Sequence, residues 1–207
     1  FLASKRIEAV RKAENENYQV AIFDDGLQDK SINYDLTFVC FNNINWIGNG
    51  MTIPAGPLRE NITNLKKYHH IFLNGNLENL KNLEEEILKI NPKIKIHLGK
   101  YEPSNLSEFS KDNKYLLFSG IGNHKTFVSM IKNYGLNIIK EMEFPDHYHY
   151  KKKDIEEILR KADNLNCDVI TSEKDFFRIN KIYSEKIRVI KSDLKIINEE
   201  SFIKSII

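Results

Sequence analysis

The chain has 207 residues, 41% of them hydrophobic and 29% charged, the balance of a globular protein with one good core or two small domains. Its 31 basic and 29 acidic residues leave a net charge of +2, so nothing demands a nucleic-acid partner; the lysine-rich character reads as solvated surface that can still meet anionic lipid headgroups. Cys40 and Cys167 lie in apolar runs without zinc-type spacing and read as buried thiols of a reducing compartment, and no apolar run reaches bilayer length.

In chain order, residues 4–16 have the spacing of a helix, with Ile7 and Val10 on one face. The apolar run Val20-Ala21-Ile22-Phe23 then ends abruptly in Asp24-Asp25-Gly26, which predicts a buried strand with two carboxylates at its carboxyl end. That edge of an open α/β sheet is where ligands bind, and paired hard oxygens there suit Mg²⁺ bridging to nucleotide phosphates. The alternative is a solvated turn, since Asp-Gly is a common turn pair.

Residues 36–41 predict a second strand. Residues 42–57, dense in Asn, Gly and Pro, form a long loop and so a functional candidate. A helix is expected over 58–67, with Arg59 and Glu60 in its first turn; a surface ion pair is the bland reading of those two. A strand over 70–74 and an amphipathic helix over 77–90 follow, then a period-two strand at Ile94, Ile96 and Leu98. A domain joint falls within 92–112, dividing the chain into 1–100 and 101–207.

The second half repeats the α/β pattern. A buried strand at 115–118 runs through Ser119-Gly120-Ile121-Gly122-Asn123 into a helix over 124–134 that stops at Gly135. The glycine turn fits either a phosphate at the helix amino terminus or close packing. Strands over 136–142, 167–170 and 187–190 and a helix over 152–165 complete the unit, with Ser172 as the N-cap of a short helix three residues before Asp175 and a tail apolar enough to pack back.

His69, His70, His97 and His124 look isolated and read as surface or cap residues. His147 and His149 differ, because alternate residues of an extended stretch point the same way and could share a metal. A third ligand is not evident, so proton transfer by His147, or a hydrogen bond to Asp146, are the competing readings.

Taken together, Asp24-Asp25-Gly26-Leu27-Gln28, Gly48-Asn49-Gly50, Pro54-Ala55-Gly56-Pro57-Leu58-Arg59-Glu60, Gly120-Ile121-Gly122, Phe144-x-Asp146-His147 and Thr171-x-Glu173-Lys174-Asp175 resemble, in order and rough spacing, the tetraacyldisaccharide 4'-kinase (lipid A 4'-kinase) family. The resemblance implies an α/β fold, a P-loop NTPase-like parallel sheet followed by a smaller carboxy-terminal α/β domain joined by a strand hinge. It implies ATP as phosphoryl donor with Mg²⁺, an acylated glucosamine disaccharide lipid as acceptor, and peripheral contact with the membrane at the cytoplasmic face of the bacterial inner membrane. On that resemblance Asp24 and Asp25 serve the metal, Gln28 lies at the phosphates, Arg59 and Glu60 shape the substrate side, and His147 is catalytic, facing the acidic pair across one cleft. Two positions depart from the pattern: Asp29 stands where the family has His, and His124 where it has Pro. The P-loop is expected upstream of Phe1, so the 207 residues are expected to be inactive alone. The alternative is a non-catalytic remnant or binding module that keeps the fold.

Overall fold

The structure, a computed structural model, describes residues 2–75 and 80–206. They fall into two compact units, 1–38 and 39–207. The fold is α/β, as the sequence implies.

In the first unit, α1 (Arg6–Asn15) forms as expected. The run after it does not: residues 18–23 are irregular, with Val20 76% and Ile22 93% exposed. A strand is stabilised by its neighbours in a ladder, and among the described residues none is paired with this run. Its apolar content alone therefore leaves it extended and solvated.

The second unit holds two four-stranded sheets. The first is built from β1 (Phe38–Asn42), β2 (His70–Gly75), β3 (Lys95–Pro103) and β8 (Ser192–Ile197), in the order β1-β2-β3-β8. β2 and β3 are parallel, whereas β8 runs antiparallel to β3, from Leu98 opposite Ile197 to Pro103 opposite Ser192. Leu65, Ile71, Leu73, Ile87 and Ile94 form its core beneath α2 (Leu80–Ile90). The predicted residues 77–79 of that helix lie outside the described residues. β3 is longer than expected because β8 gives its second half a partner. The chain thus leaves the first sheet along β3 and returns to it along β8, where α6 (Glu199–Lys204) follows.

Asn105 ties the outgoing and returning segments together. Its side chain donates to the Val189 carbonyl at 2.9 Å and accepts from the Lys191 amide at 2.9 Å, while the Ser104 amide donates to the Lys191 carbonyl at 2.9 Å.

The second sheet is all parallel: β5 (Asn137–Glu143), β4 (Lys114–Ser119), β6 (Asp168–Ser172) and β7 (Ile187–Ile190), in that order. Alternation along β4 fills two cores. Tyr115 and Leu117 pack with Phe127, Val128 and Ile131 of α3 (His124–Asn133), and Leu116 and Phe118 pack with Ile155, Ile158 and Ala162 of α4 (Lys152–Leu165). The spacing of 155, 158 and 162 is the helical stripe read from sequence. α3 stops where Gly135 adopts φ +84°, a conformation that costs glycine nothing. Ser172 caps α5 (Glu173–Phe176) by accepting the Asp175 amide, as predicted.

Three histidines depart from the sequence reading, two of them because the parallel register of β2 and β3 brings distant residues together. His70 and His97 are buried on adjacent strands, Nδ1 to Nε2 at 2.7 Å, with Phe202 of α6 edge-on to His97. His124 is buried with Nδ1 2.6 Å from Ser119 Oγ. The cysteines also differ: Cys40 is exposed and Cys167 half-buried.

Candidate active site

In the first unit the acidic residues sit on a turn. Asp25 adopts φ +53°, and the Gly26 carbonyl accepts the Tyr34 hydroxyl at 2.7 Å while Phe23 packs edge-on against the Tyr34 ring. Arg6 of α1 staples the turn by donating to the Asp24 and Asp25 carbonyls at 3.3 and 3.1 Å, so its guanidinium engages main chain there. Sequence reasoning missed Arg6, which sits on a helix 18 positions away.

Gln28 lies exposed in the same turn. Asp29 is held locally: its Oδ1 accepts the Ser31 hydroxyl at 2.6 Å and amide at 3.0 Å, and its Oδ2 is 3.9 Å from Arg6. The Ser31 hydrogen bonds, with a smaller contribution from Arg6, hold this carboxyl below the usual carboxylate range. The aspartate in place of histidine therefore closes an Asx-type turn.

Asp24 and Asp25 are exposed carboxylates, hard donors of the kind Mg²⁺ accepts when phosphates and water complete its shell. No group of three or more His, Cys, Asp or Glu able to hold a metal occurs among the described residues. The acidic turn thus fits a metal that arrives with a nucleotide, and the fit rests on donor type.

In the second unit, the long loop after β1 closes on itself. Ile53 donates to the Leu58 carbonyl at 2.8 Å and Leu58 to the Met51 carbonyl at 3.2 Å. This closure delays the expected helix: a 3₁₀ segment, Ile62–Lys67, starts only after Asn61, whose side chain caps it. Arg59 and Glu60 consequently precede the helix instead of occupying its first turn. Glu60 accepts from Asn64 at 2.9 Å and from the Tyr68 hydroxyl at 3.0 Å. Burial, aided by Glu60, pushes the Tyr68 phenol up to about 12.

The carboxyl edge of the second sheet carries a denser arrangement. At Gly120 a side chain would be crowded by the Pro145 carbonyl and the Tyr148 and Tyr150 side chains, each 3.0–3.1 Å from the added carbon. Close packing of the 144–150 loop therefore explains this glycine. His147 adopts φ +58° within a turn, its amide donating to the Gly120 carbonyl at 3.1 Å and to Asp146 Oδ1 at 2.9 Å. The stretch is not extended, which removes the alternation that would have aimed His147 and His149 at one metal.

The His147 side chain is 80% exposed. Its Nδ1 lies 3.1 Å from Arg178 Nη2, and its Nε2 lies 3.9 Å from Asp146 Oδ2. Beneath it Asp175 is fully buried. Asp175 Oδ1 accepts the Gly120 amide and the Tyr150 hydroxyl, both at 3.0 Å, and Oδ2 accepts the Ser172 hydroxyl at 2.7 Å. Burial first, and then the Asp175 charge, raises the Tyr150 phenol far above its ordinary range. Neither Arg178 nor Tyr150 was singled out by sequence. The Ser172 to Asp175 spacing was legible, but as a helix cap.

The whole chain, residues 1–207, matches the family model described as tetraacyldisaccharide-1-P 4'-kinase. The chain belongs to this family. A tetraacyldisaccharide 4'-kinase from Pelagibacter ubique (strain HTCC1062) is 55% identical over 207 residues, covering 100% of this chain and 66% of that protein. One from Rickettsia akari (strain Hartford) is 36% identical over 185 residues, covering 87% and 54%. The chain thus spans between about half and two thirds of these family members' lengths. A crystal structure of the "apo" form of LpxK from Aquifex aeolicus in complex with ATP superposes with a TM-score of 0.54 at 22% identity, over 88% of this chain and 55% of that one. At that identity the likeness speaks for the fold.

Proposed function

We propose that this chain carries part of the machinery of a lipid A 4'-kinase, transferring the γ-phosphate of ATP to the 4'-hydroxyl of tetraacyldisaccharide 1-phosphate to give lipid IVA. The observation that carries the reading is the family match over residues 1–207. Phosphoryl transfer asks for positioned charge and a metal more than for covalent chemistry, and the side chains above supply groups of that kind. In this reading residues 1–100 contribute the nucleotide side and 101–207 the second lobe, joined through β3.

Asp24 and Asp25 would hold Mg²⁺, which when bound neutralises charge on the phosphates. Arg6 keeps the acidic turn in shape by engaging its main chain. Gln28, on the same turn, is assigned to the phosphates, and Arg59 and Glu60 to the acceptor. Glu60, already fixed by Asn64 and Tyr68, suits an orienting role. His147 is assigned to the reacting hydroxyl, where a positioned acid–base or hydrogen-bonding group is worth about 10²- to 10⁴-fold. No helix among the described residues is long and apolar enough to cross a membrane, and we assign the protein to peripheral contact with the cytoplasmic face of the inner membrane, where an acylated acceptor resides.

The test is ATP-dependent phosphorylation of the tetraacylated disaccharide, followed by label transfer, with these residues joined to the remaining portion of a full-length family member. His147→Ala and Asp24→Asn are each expected to lower turnover by at least about 10²-fold. Wild-type rates in both variants, or transfer undiminished after magnesium removal, would overturn the assignment.

A further inference from the structure

We propose that Arg178, anchored by the buried carboxylate of Asp175, is a positioning residue that sets both the tautomer and the direction of the His147 imidazole. The inference rests on the assignment of His147 to the reacting hydroxyl, and it concerns what state that ring is presented in.

The argument starts from donors and acceptors. A guanidinium has only donors, and a neutral imidazole has one donor nitrogen and one acceptor nitrogen. With Arg178 Nη2 3.1 Å from His147 Nδ1, Nδ1 must be the acceptor. The neutral ring then carries its proton on Nε2. The exposed nitrogen is then the donor, 3.9 Å from Asp146 Oδ2, and the acceptor nitrogen is occupied by Arg178.

The same arginine grips the main chain beneath the ring. Its Nη1 donates to the Gly120 carbonyl at 3.1 Å, the carbonyl that also accepts the His147 amide at 3.1 Å. His147 holds a left-handed backbone conformation, uncommon outside glycine and concentrated at functional sites. Two hydrogen bonds converging on one carbonyl oppose its relaxation.

Asp175 fixes the arginine in turn. Its Oδ1 is 3.5 Å from Arg178 Nη1 and accepts the Gly120 amide at 3.0 Å. The Gly120 peptide is thus held at both ends, by Asp175 at its amide and by Arg178 and His147 at its carbonyl. The Arg178 side chain is only 21% exposed while that of His147 is 80% exposed. An exposed ring is therefore carried on a largely buried, charge-paired base, which is the arrangement that preorganises a reacting group.

Long-range ¹H–¹⁵N correlation of the His147 ring in labelled protein tests this directly, with Arg178→Gln and Arg178→Lys compared alongside. The wild-type ring is expected as a single Nε2–H tautomer. Arg178→Gln is expected to show both tautomers, and Arg178→Lys, which keeps a donor-only cation, to retain the wild-type preference. Turnover should fall on the order of tenfold or more in Arg178→Gln with KM for ATP unchanged, and recover in part in Arg178→Lys. If Arg178→Gln does not fold, the wild-type ring decides alone: a single Nε2–H tautomer supports the proposal. A wild-type ring protonated on Nδ1, or a tautomer unchanged in both variants, overturns it. A tautomer that shifts as expected while Arg178→Gln and His147→Ala both turn over at the wild-type rate leaves the clamp standing and removes His147 from catalysis.

Discussion

The turn that ends β4 and the turn that follows Val20–Phe23 both begin as short apolar runs breaking into glycine, yet they are held in different ways. The first emerges from a strand paired on both sides, whose four central residues are fully buried. The second emerges from a stretch with no ladder partner among the described residues and owes its shape to Arg6, Tyr34 and Ser31. A strand's sequence states that it can be buried; its partners decide whether it is. The clamp at Gly120 consequently stands on a rigid base, while the acidic turn is a local arrangement of hydrogen bonds.

This contrast can be broken by substitution. Asp175→Ala is expected to be the most damaging change, because it leaves the Gly120 amide, the Tyr150 and Ser172 hydroxyls and the Arg178 charge without their shared acceptor. Removing one member of a buried charge pair costs about 3–5 kcal/mol, and denaturant unfolding of the protein reads it. Leu117→Ala should cost about 2–5 kcal/mol by the lost burial and the cavity left behind. Ile22→Ala, on the solvated run, should stay within about 0.5 kcal/mol. An equally large loss at Ile22 would show that this run is packed in solution and would end the comparison.

Acid sharpens the comparison within the second unit. Burial, with smaller contributions from His97, Lys95 and His69, depresses His70 from 6.5 to about 4, and burial also lowers His97. The unfolded chain therefore binds the His70 proton first, so stability is full above the unfolded value near 6.5 and declines as pH falls toward 4. The loss across that window is expected to be up to about 3 kcal/mol. His70→Gln should flatten this part of the pH–stability curve. A slope unchanged in that variant would assign the acid sensitivity to other groups.

Much of the fold was legible because periodicity reports burial directly. The alternation at 115–118 and the stripe at Ile155, Ile158 and Ala162 state which faces are covered before any partner is known. The misreadings share another origin. Val20–Phe23 carries strand composition with no described ladder, and His70 and His97 are 27 positions apart and meet only through the parallel register of β2 and β3. Arg59 and Glu60 were displaced from a helix start by a loop closure between residues 51 and 58. At the candidate site, His147 was singled out from its loop, but Arg178 was invisible: Gly120 and the 144–150 loop converge on Asp175 beside it, and that convergence is tertiary.

The outgoing strand β3 and the returning strand β8 are neighbours over six residue pairs, with Asn105 clasping the segments where they separate. A sheet suspended from a single tether can swivel freely, whereas one suspended from two laced tethers resists torsion and yields mainly by flexing them as a ribbon. Twisting of the β4–β7 sheet against the first sheet therefore works against two laced strands, and the 2.7 Å hydrogen bond from Asn42 at the end of β1 to Thr126 of α3 adds a third link between them.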